Sequence, residues 1–301
     1  MIPNLNFYDI YGYLIPGFTF VILIWLPRGL IQGQWPAVDW ASALVAAVIG
    51  YVVGHILQAL GRGAWPSKTM TGRFPSDVLL DKDNDVLSFD LKERLRESIR
   101  TLSGIDVRTD LTGAEVTDPV RKQRRDGFYF CRDALLTGKP VTYAEQMQGM
   151  YALMSSLTIA FLLTAPYHLG WALSGIPVAN IRWIAWVLIT TGLIGAIMCA
   201  ALGAFKPSNP LNPDSTRVRK TVALILLALL GSGYVLGSGN VRYPDQSCRL
   251  GVIVLAGLFA ALTCYRVYKY FTVVYAQTIY RAFSLYEKPV QPEHEWRPFS
   301  A

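Results

Sequence analysis

The densest group of side chains that could hold a ligand is Arg121, Lys122, Arg124 and Arg125, followed closely by Phe128 and Tyr129. Guanidinium forks beside an ammonium suit a phosphate, whether of a nucleotide, a lipid headgroup or RNA. Asp118, Asp126 and Asp133 dilute that field, and the run reads as well as a solvated helix face near an anionic membrane. No nucleic-acid reading motif accompanies it, so binding of nucleic acid is not expected. A second candidate pair is His55 and Gln58, in an otherwise apolar stretch. Polar groups there can line a watery path, sense pH, or hydrogen-bond between helices.

Other chemistry finds no complete set of residues. Gly231-Ser232-Gly233 and Gly237-Ser238-Gly239 offer serines, but no histidine in a following span could act as base. His294-Glu295 has no second histidine to complete a metalloprotease motif, and no P-loop is present. Cys131, Cys199, Cys248 and Cys264 are dispersed, without metal-ligand spacing. The expectation is a protein with no catalytic residue, no metal site and no cofactor, and hence not an enzyme.

The elements that carry these residues are largely apolar. Of 301 residues 52% are hydrophobic and 16% charged, well short of the roughly 25% charged in soluble domains. Apolar runs near the roughly 20 residues needed to cross a bilayer recur at about 10–27, 38–60, 148–168, 182–204, 220–238 and 250–268. The first contains Pro16-Gly17, which should kink it. No cleavable leader is evident. The fold class expected is therefore all-α, a polytopic transmembrane bundle with a helical insertion.

Lys and Arg set the orientation. Segment 61–147 holds 15 of them, 206–220 holds 4 and 266–301 holds 5, whereas the other connections hold only Arg28, Arg182, Arg242 and Arg249. Six spans put every basic-rich segment on one side. Both termini and the insertion are then cytoplasmic, and Cys248 alone lies outside.

The chain divides accordingly into spans at 1–60, an insertion at 61–147, spans at 148–268, a helical extension at 269–287 and a mobile tail at 288–301. The insertion carries 15 basic and 14 acidic residues and reads as helical. Asp90-x-x-Glu93 resembles a capping box, Leu87, Leu91, Leu95, Ile99 and Leu102 recur at helical spacing, and Gly104 is a stop. A second helix starts at Asp118-Pro119, with Val120, Phe128, Cys131 and Leu135 on one face. Thr142-x-x-Glu145 opens a third, which should continue into the next span, and His168 near its far end reads as interfacial.

About 87 residues make a small core, so the insertion needs support. Tyr268, Phe271, Tyr275, Ile279, Phe283 and Tyr286 recur at spacings of three and four. A helix from Arg249 to Tyr286 would be about 55 Å long, of which the hydrocarbon takes about 30 Å. The remainder projects with an aromatic stripe that packs on the insertion or on another subunit.

Small residues recur every fourth position within the spans. Gly50 and Gly54 form one such pair, Gly233 and Gly237 another, and Gly195, Cys199 and Gly203 form a row beside Gly192, Ala196, Ala200 and Ala204. Such rows let helix backbones approach closely, within one chain or between chains.

Tyr11-Gly12-Tyr13-Leu14-Ile15-Pro16-Gly17 and Gly54-His55-x-x-Gln58-Ala59-Leu60 resemble segments of uncharacterised bacterial multi-pass membrane proteins, some of them associated with anti-phage defence. The resemblance covers the first fifth of the chain. It implies a bacterial inner-membrane setting and carries over no functional residue.

These readings lead to an expected non-enzymatic membrane effector or sensor, with its insertion coupled to the bundle and pore formation as one form of its action. Its expected partners are the lipid bilayer, further copies of the chain, and a cytoplasmic protein or small ligand. Two alternatives stay open: a membrane anchor or scaffold for a cytoplasmic partner, and a channel or transporter for an uncharged solute.

Overall fold

The computed structural model describes residues 7–36, 39–64, 73–138, 142–175, 181–205, 215–238, 240–241 and 244–286. Among these the chain is helical, with no strand. The long helices are α1 (Ile15–Gln32), α2 (Trp40–Ala64), α3 (Phe89–Ser103), α4 (Asp118–Gly138), α5 (Thr142–Ser174), α6 (Ile181–Phe205), α7 (Ser215–Gly237) and α8 (Pro244–Tyr286). Among the described residues five segments are long and apolar enough to cross a membrane: Ile10–Gln32, Trp40–Gly63, Tyr143–Ser174, Lys220–Gly237 and Asp245–Leu285. Helix α6 adds a shorter apolar stretch, Ile184–Ala196. The protein is a helical membrane protein.

Two compact units can be distinguished. One combines Met1–Pro66 with Gly149–Lys269, the other Ser67–Gln148 with Tyr270–Ala301.

In the first unit, α5 is the most enclosed helix: 61% of its apolar window is buried, against 17–28% for the other four. Its Ile159, Ala160 and Leu163 pack with Leu57 and Val222, and its Tyr167, Trp171 and Ala172 pack with Val241 and Leu250. Prolines shape α1. A π turn, Ile10–Leu14, precedes it, with the Ile15 N–H reaching back five residues to the Ile10 carbonyl. Pro16 has no N–H to return to the Gly12 carbonyl, and Ser156 Oγ donates to that oxygen in a long 3.4 Å bond. Pro27 likewise cannot serve Leu23, and His168 Nε2 lies 2.7 Å from the Leu23 oxygen. His168 is 2% exposed, drawn among the helices by a freed carbonyl.

The glycine rows act within the chain. A Cβ on Gly17 would lie 1.7 Å from the Gly50 oxygen, and one on Gly54 would lie 1.9 Å from the Tyr13 oxygen. A Cβ on Gly233 would lie 2.0 Å from the Tyr167 oxygen, and one on Gly237 2.3 Å from Ser174 Oγ. A Cβ on Gly192 would lie 2.5 Å from the Leu224 oxygen, while one on Gly195 would meet only the flexible end of the Leu224 side chain. Close approach of this kind gives dispersion contacts in a solvent where apolar burial supplies no drive. The surroundings of Cys199 and Gly203 lie outside the described residues.

The second unit has its own core. Leu95 and Ile99 of α3, and Phe128, Cys131 and Leu135 of α4, pack against Ala276, Ile279, Tyr280 and Phe283 at the end of α8. The aromatic stripe of the last helix thus completes the core that the insertion is too small to build alone. Within it, Tyr280 is fully buried, and its hydroxyl donates to the Ser76 carbonyl at 2.9 Å. Helix α3 ends at Gly104, with φ +74° and its N–H bonded to Arg100. Its start differs from expectation. Ser88, in extended conformation, is the cap and accepts from the Leu91 N–H, which moves Asp90 into the first turn.

Candidate functional site

A polar and aromatic cluster forms where α2 runs toward the insertion. Tyr51, His55, Gln58 and Arg62 follow one another at spacings of four, three and four, so they share one face of the helix. Tyr8 and Tyr13 meet them from the N-terminal segment. Residues five apart on a regular α-helix point about 140° apart, at about 3.6 residues per turn. The π turn between these two widens the helix and turns both rings toward α2.

The rings stack closely. Tyr13 lies over His55 with centroids 3.6 Å apart and planes at 23°, while Tyr51 meets His55 edge-on at 4.7 Å. Tyr8 contacts Tyr13 edge-on at 5.5 Å. This approach is possible because Gly54, directly before His55, has no side chain to push the Tyr13 backbone away.

Polarity is arranged around the Tyr8 hydroxyl. Gln58 Nε2 and the Arg62 guanidinium both donate to its oxygen. Gln58 is buried, so its amide serves as a link between helices, one of the roles considered for it. His55 and Arg62 remain exposed. Among the described residues neither bonds a carboxylate. The cluster thus offers a cation and an imidazole beside phenol rings.

The basic run on α4 comes apart in three dimensions, which corrects its reading as one phosphate site. Arg124 is completely buried. Its guanidinium donates to Asp81 Oδ1 at 2.6 Å and Asp77 Oδ1 at 3.2 Å, and to the Arg108 carbonyl at 2.6 Å. Arg73 closes the network, bonding Asp77 at 2.8 Å and Asp81 at 2.7 Å. Two cations and two carboxylates balance one another, so the buried charge is compensated. Arg121 and Lys122 stay exposed, Arg121 reaching Asp118 at 3.1 Å, while Arg125 lies over the Phe74 ring at 5.8 Å. A helical spacing of three turns Arg124 away from Arg121 only slightly. The decisive factor is that Asp77 and Asp81 approach Arg124 from another part of the chain.

Lys92 is a further buried cation. Its ammonium donates to the Asp81 carbonyl at 2.6 Å and also to that of Asn84. Burial pushes its pKa down, against the pull of Asp85, Asp81 and Asp83. Arg108 has φ +38°, rare for a side chain with a Cβ, and its carbonyl is held by Arg124. No group of three or more His, Cys, Asp or Glu converges among the described residues. His294 lies outside them.

Sequence reasoning missed Tyr8, Arg62, Asp77, Asp81 and Tyr280. A usable signal existed only for Ser156 and His168: each proline in a span frees the carbonyl four residues before it, so a polar partner must be found. Comparison with protein-family models, with characterised proteins and with solved structures finds no match.

Proposed function

We propose that this chain is a non-enzymatic membrane sensor or effector of the bacterial inner membrane. In this reading both termini and the 61–147 insertion are cytoplasmic, and the insertion receives a protein partner or a small ligand. The signal passes to the spans through α5 and α8.

One observation carries the reading: α8 is a single helix of 43 residues serving two cores. Its apolar part presents Val252, Leu255, Phe259 and Leu262 on an open face. Its last turns bury Ala276, Ile279, Tyr280 and Phe283 among the helices of the insertion. Helix α5 does the same over 33 residues, from Ala144 to Trp171. An unbroken helix is stiff, so displacement at one end is felt at the other. The output proposed is a change of membrane permeability, in the anti-phage setting that the resemblance implies.

The test is the membrane potential of bacteria expressing the chain, followed with a potential-sensitive dye. The intact protein should depolarise the cells, and a four-glycine insertion after Lys269, which breaks the stiff link, should abolish the effect. An undisturbed potential at good expression of the intact chain would sink the effector reading.

A membrane anchor for a cytoplasmic partner is the second reading. The use of Gly50, Gly54, Gly233 and Gly237 inside the chain favours it, because those faces are closed to self-assembly. Co-purification of a stoichiometric partner without depolarisation would support this version.

A further inference from the structure

Arg62 lies at the end of α2 that leads into the insertion, exposed, and donates to the Tyr8 hydroxyl. Arg73, Arg96, Arg108 and Arg124 each bond an aspartate of the chain. For Arg62 no carboxylate does so among the described residues. Exposed and without a carboxylate among the described residues, the Arg62 guanidinium is open to an anion from outside the protein.

The surroundings specify which anion. Tyr8, which accepts from Arg62, stands at the end of the span, where tyrosine sits at the level of the lipid headgroups, while Tyr13 and Tyr51 surround His55 deeper in. His55 lies seven residues deeper, about 10 Å along the helix axis. It is also exposed, and it is fixed by stacking on Tyr13. Beside it Ile56, and below it Val52, Ile49 and Val48, continue the open face of α2, all exposed. A molecule lying along this face meets a cation, then an imidazole among phenols, then a branched apolar stripe.

The geometry points to Arg62 as the phosphodiester site of an anionic phospholipid, with the acyl chain lying along Val52 and Val48. The Arg62 guanidinium holds the phosphate, and Tyr8 holds the guanidinium in place. His55 faces the glycerol region. A soluble phosphate would find the same cation but would have no use for the apolar stripe. The inference rests on the chain being a membrane protein and is independent of signal relay through α5 and α8.

The full chain, purified in mild detergent, can be titrated with phosphatidylglycerol and with phosphatidylcholine and examined by native mass spectrometry. Phosphatidylglycerol should be retained and phosphatidylcholine should not. R62Q should weaken retention by about tenfold or more, the scale of a charge-assisted hydrogen-bonded contact, while R266Q, at another exposed arginine, changes nothing. Millimolar inorganic phosphate should not displace the lipid. Equal retention by R62Q and the wild type would overturn the assignment, as would equal retention of the two lipids. Displacement by inorganic phosphate would assign the cation to a soluble anion and overturn the lipid source. If R62Q does not fold, R62K carries the test: it keeps the charge but loses the fork, so weaker retention supports the site and unchanged retention counts against it.

Discussion

His168 sets its Nε2 2.7 Å from the carbonyl oxygen of Leu23, the oxygen that Pro27 cannot serve. A carbonyl only accepts, so Nε2 carries the proton. Twelve residues earlier on the same helix, Ser156 treats Gly12, the oxygen abandoned by Pro16, in the same way. The two prolines of the first span therefore serve as attachment points for α5, each joined to it by a polar side chain.

Replacing His168 by Ala should leave the Leu23 carbonyl unpaired in a buried site. A loss of about 1–2 kcal/mol in stability is expected. Pro27→Ala restores an N–H to the helix, so the double variant should lose less than the two single losses combined. Thermal unfolding of the four proteins in mild detergent measures this coupling, and strict additivity would refute the carbonyl account.

Arg124 is held by the Asp77 and Asp81 carboxylates and by the four backbone carbonyls of Val107, Arg108, Asp77 and Leu80. Arg124→Met leaves two buried carboxylates with Arg73 alone and should cost about 3 kcal/mol or more. Lysine at this position cannot reproduce the fork and should rescue little. Hydrogen exchange over residues 73–138 would report the loss, and protection equal to the wild type would contradict it.

Two classes of glycine should behave oppositely. Gly54→Ala pushes a methyl group to within 1.9 Å of the Tyr13 oxygen, forcing the helices apart at a cost of about 1–3 kcal/mol. At Gly251 and Gly257 of α8 an added methyl group would meet nothing within 4 Å. Alanine there should be neutral or stabilising by up to about 1 kcal/mol, through helix propensity alone. Melting temperatures in one detergent compare them directly.

Asp110 responds to acid. The Arg108 guanidinium holds its carboxyl well below the ordinary range, burial opposes this, and Arg96 adds to the lowering. The unfolded value, about 3.9, is the higher of the two, so the unfolded chain takes up the proton first. The stability this group supplies is complete above about pH 5 and fades as pH falls below about 4 toward the folded value. Asp110→Asn should make the acid limb of stability against pH shallower, read by hydrogen exchange at the 73–138 amides. An unchanged slope would mean the ion pair is idle.

Much of the architecture can be read from local pattern. Apolar run length marks the spans, Gly104 and Asp118-Pro119 mark helix ends, and the spacing of Ile279 and Phe283 marks the supporting stripe. Each depends on residues within a turn or two of one another. The cap of α3 lies two positions before the one expected because Ser88 and Asp90 are both good capping residues, and only backbone conformation chooses between them.

The sites follow another logic. Tyr8 and Arg62 are 54 residues apart, Arg124 and Asp77 47, and His168 and Leu23 145. By itself the sequence determined that this chain is helical, spans a membrane, and ends in a helix whose aromatic stripe needs a partner, because periodicity and hydropathy act locally; the structure chose the insertion as that partner. Tertiary structure alone decided which arginine of the basic run turns inward, that His168 is buried, and that the glycine rows serve the chain itself. Those outcomes depend on partners brought from distant segments, and a hydrogen bond or a close backbone contact exists only once both sides are in place.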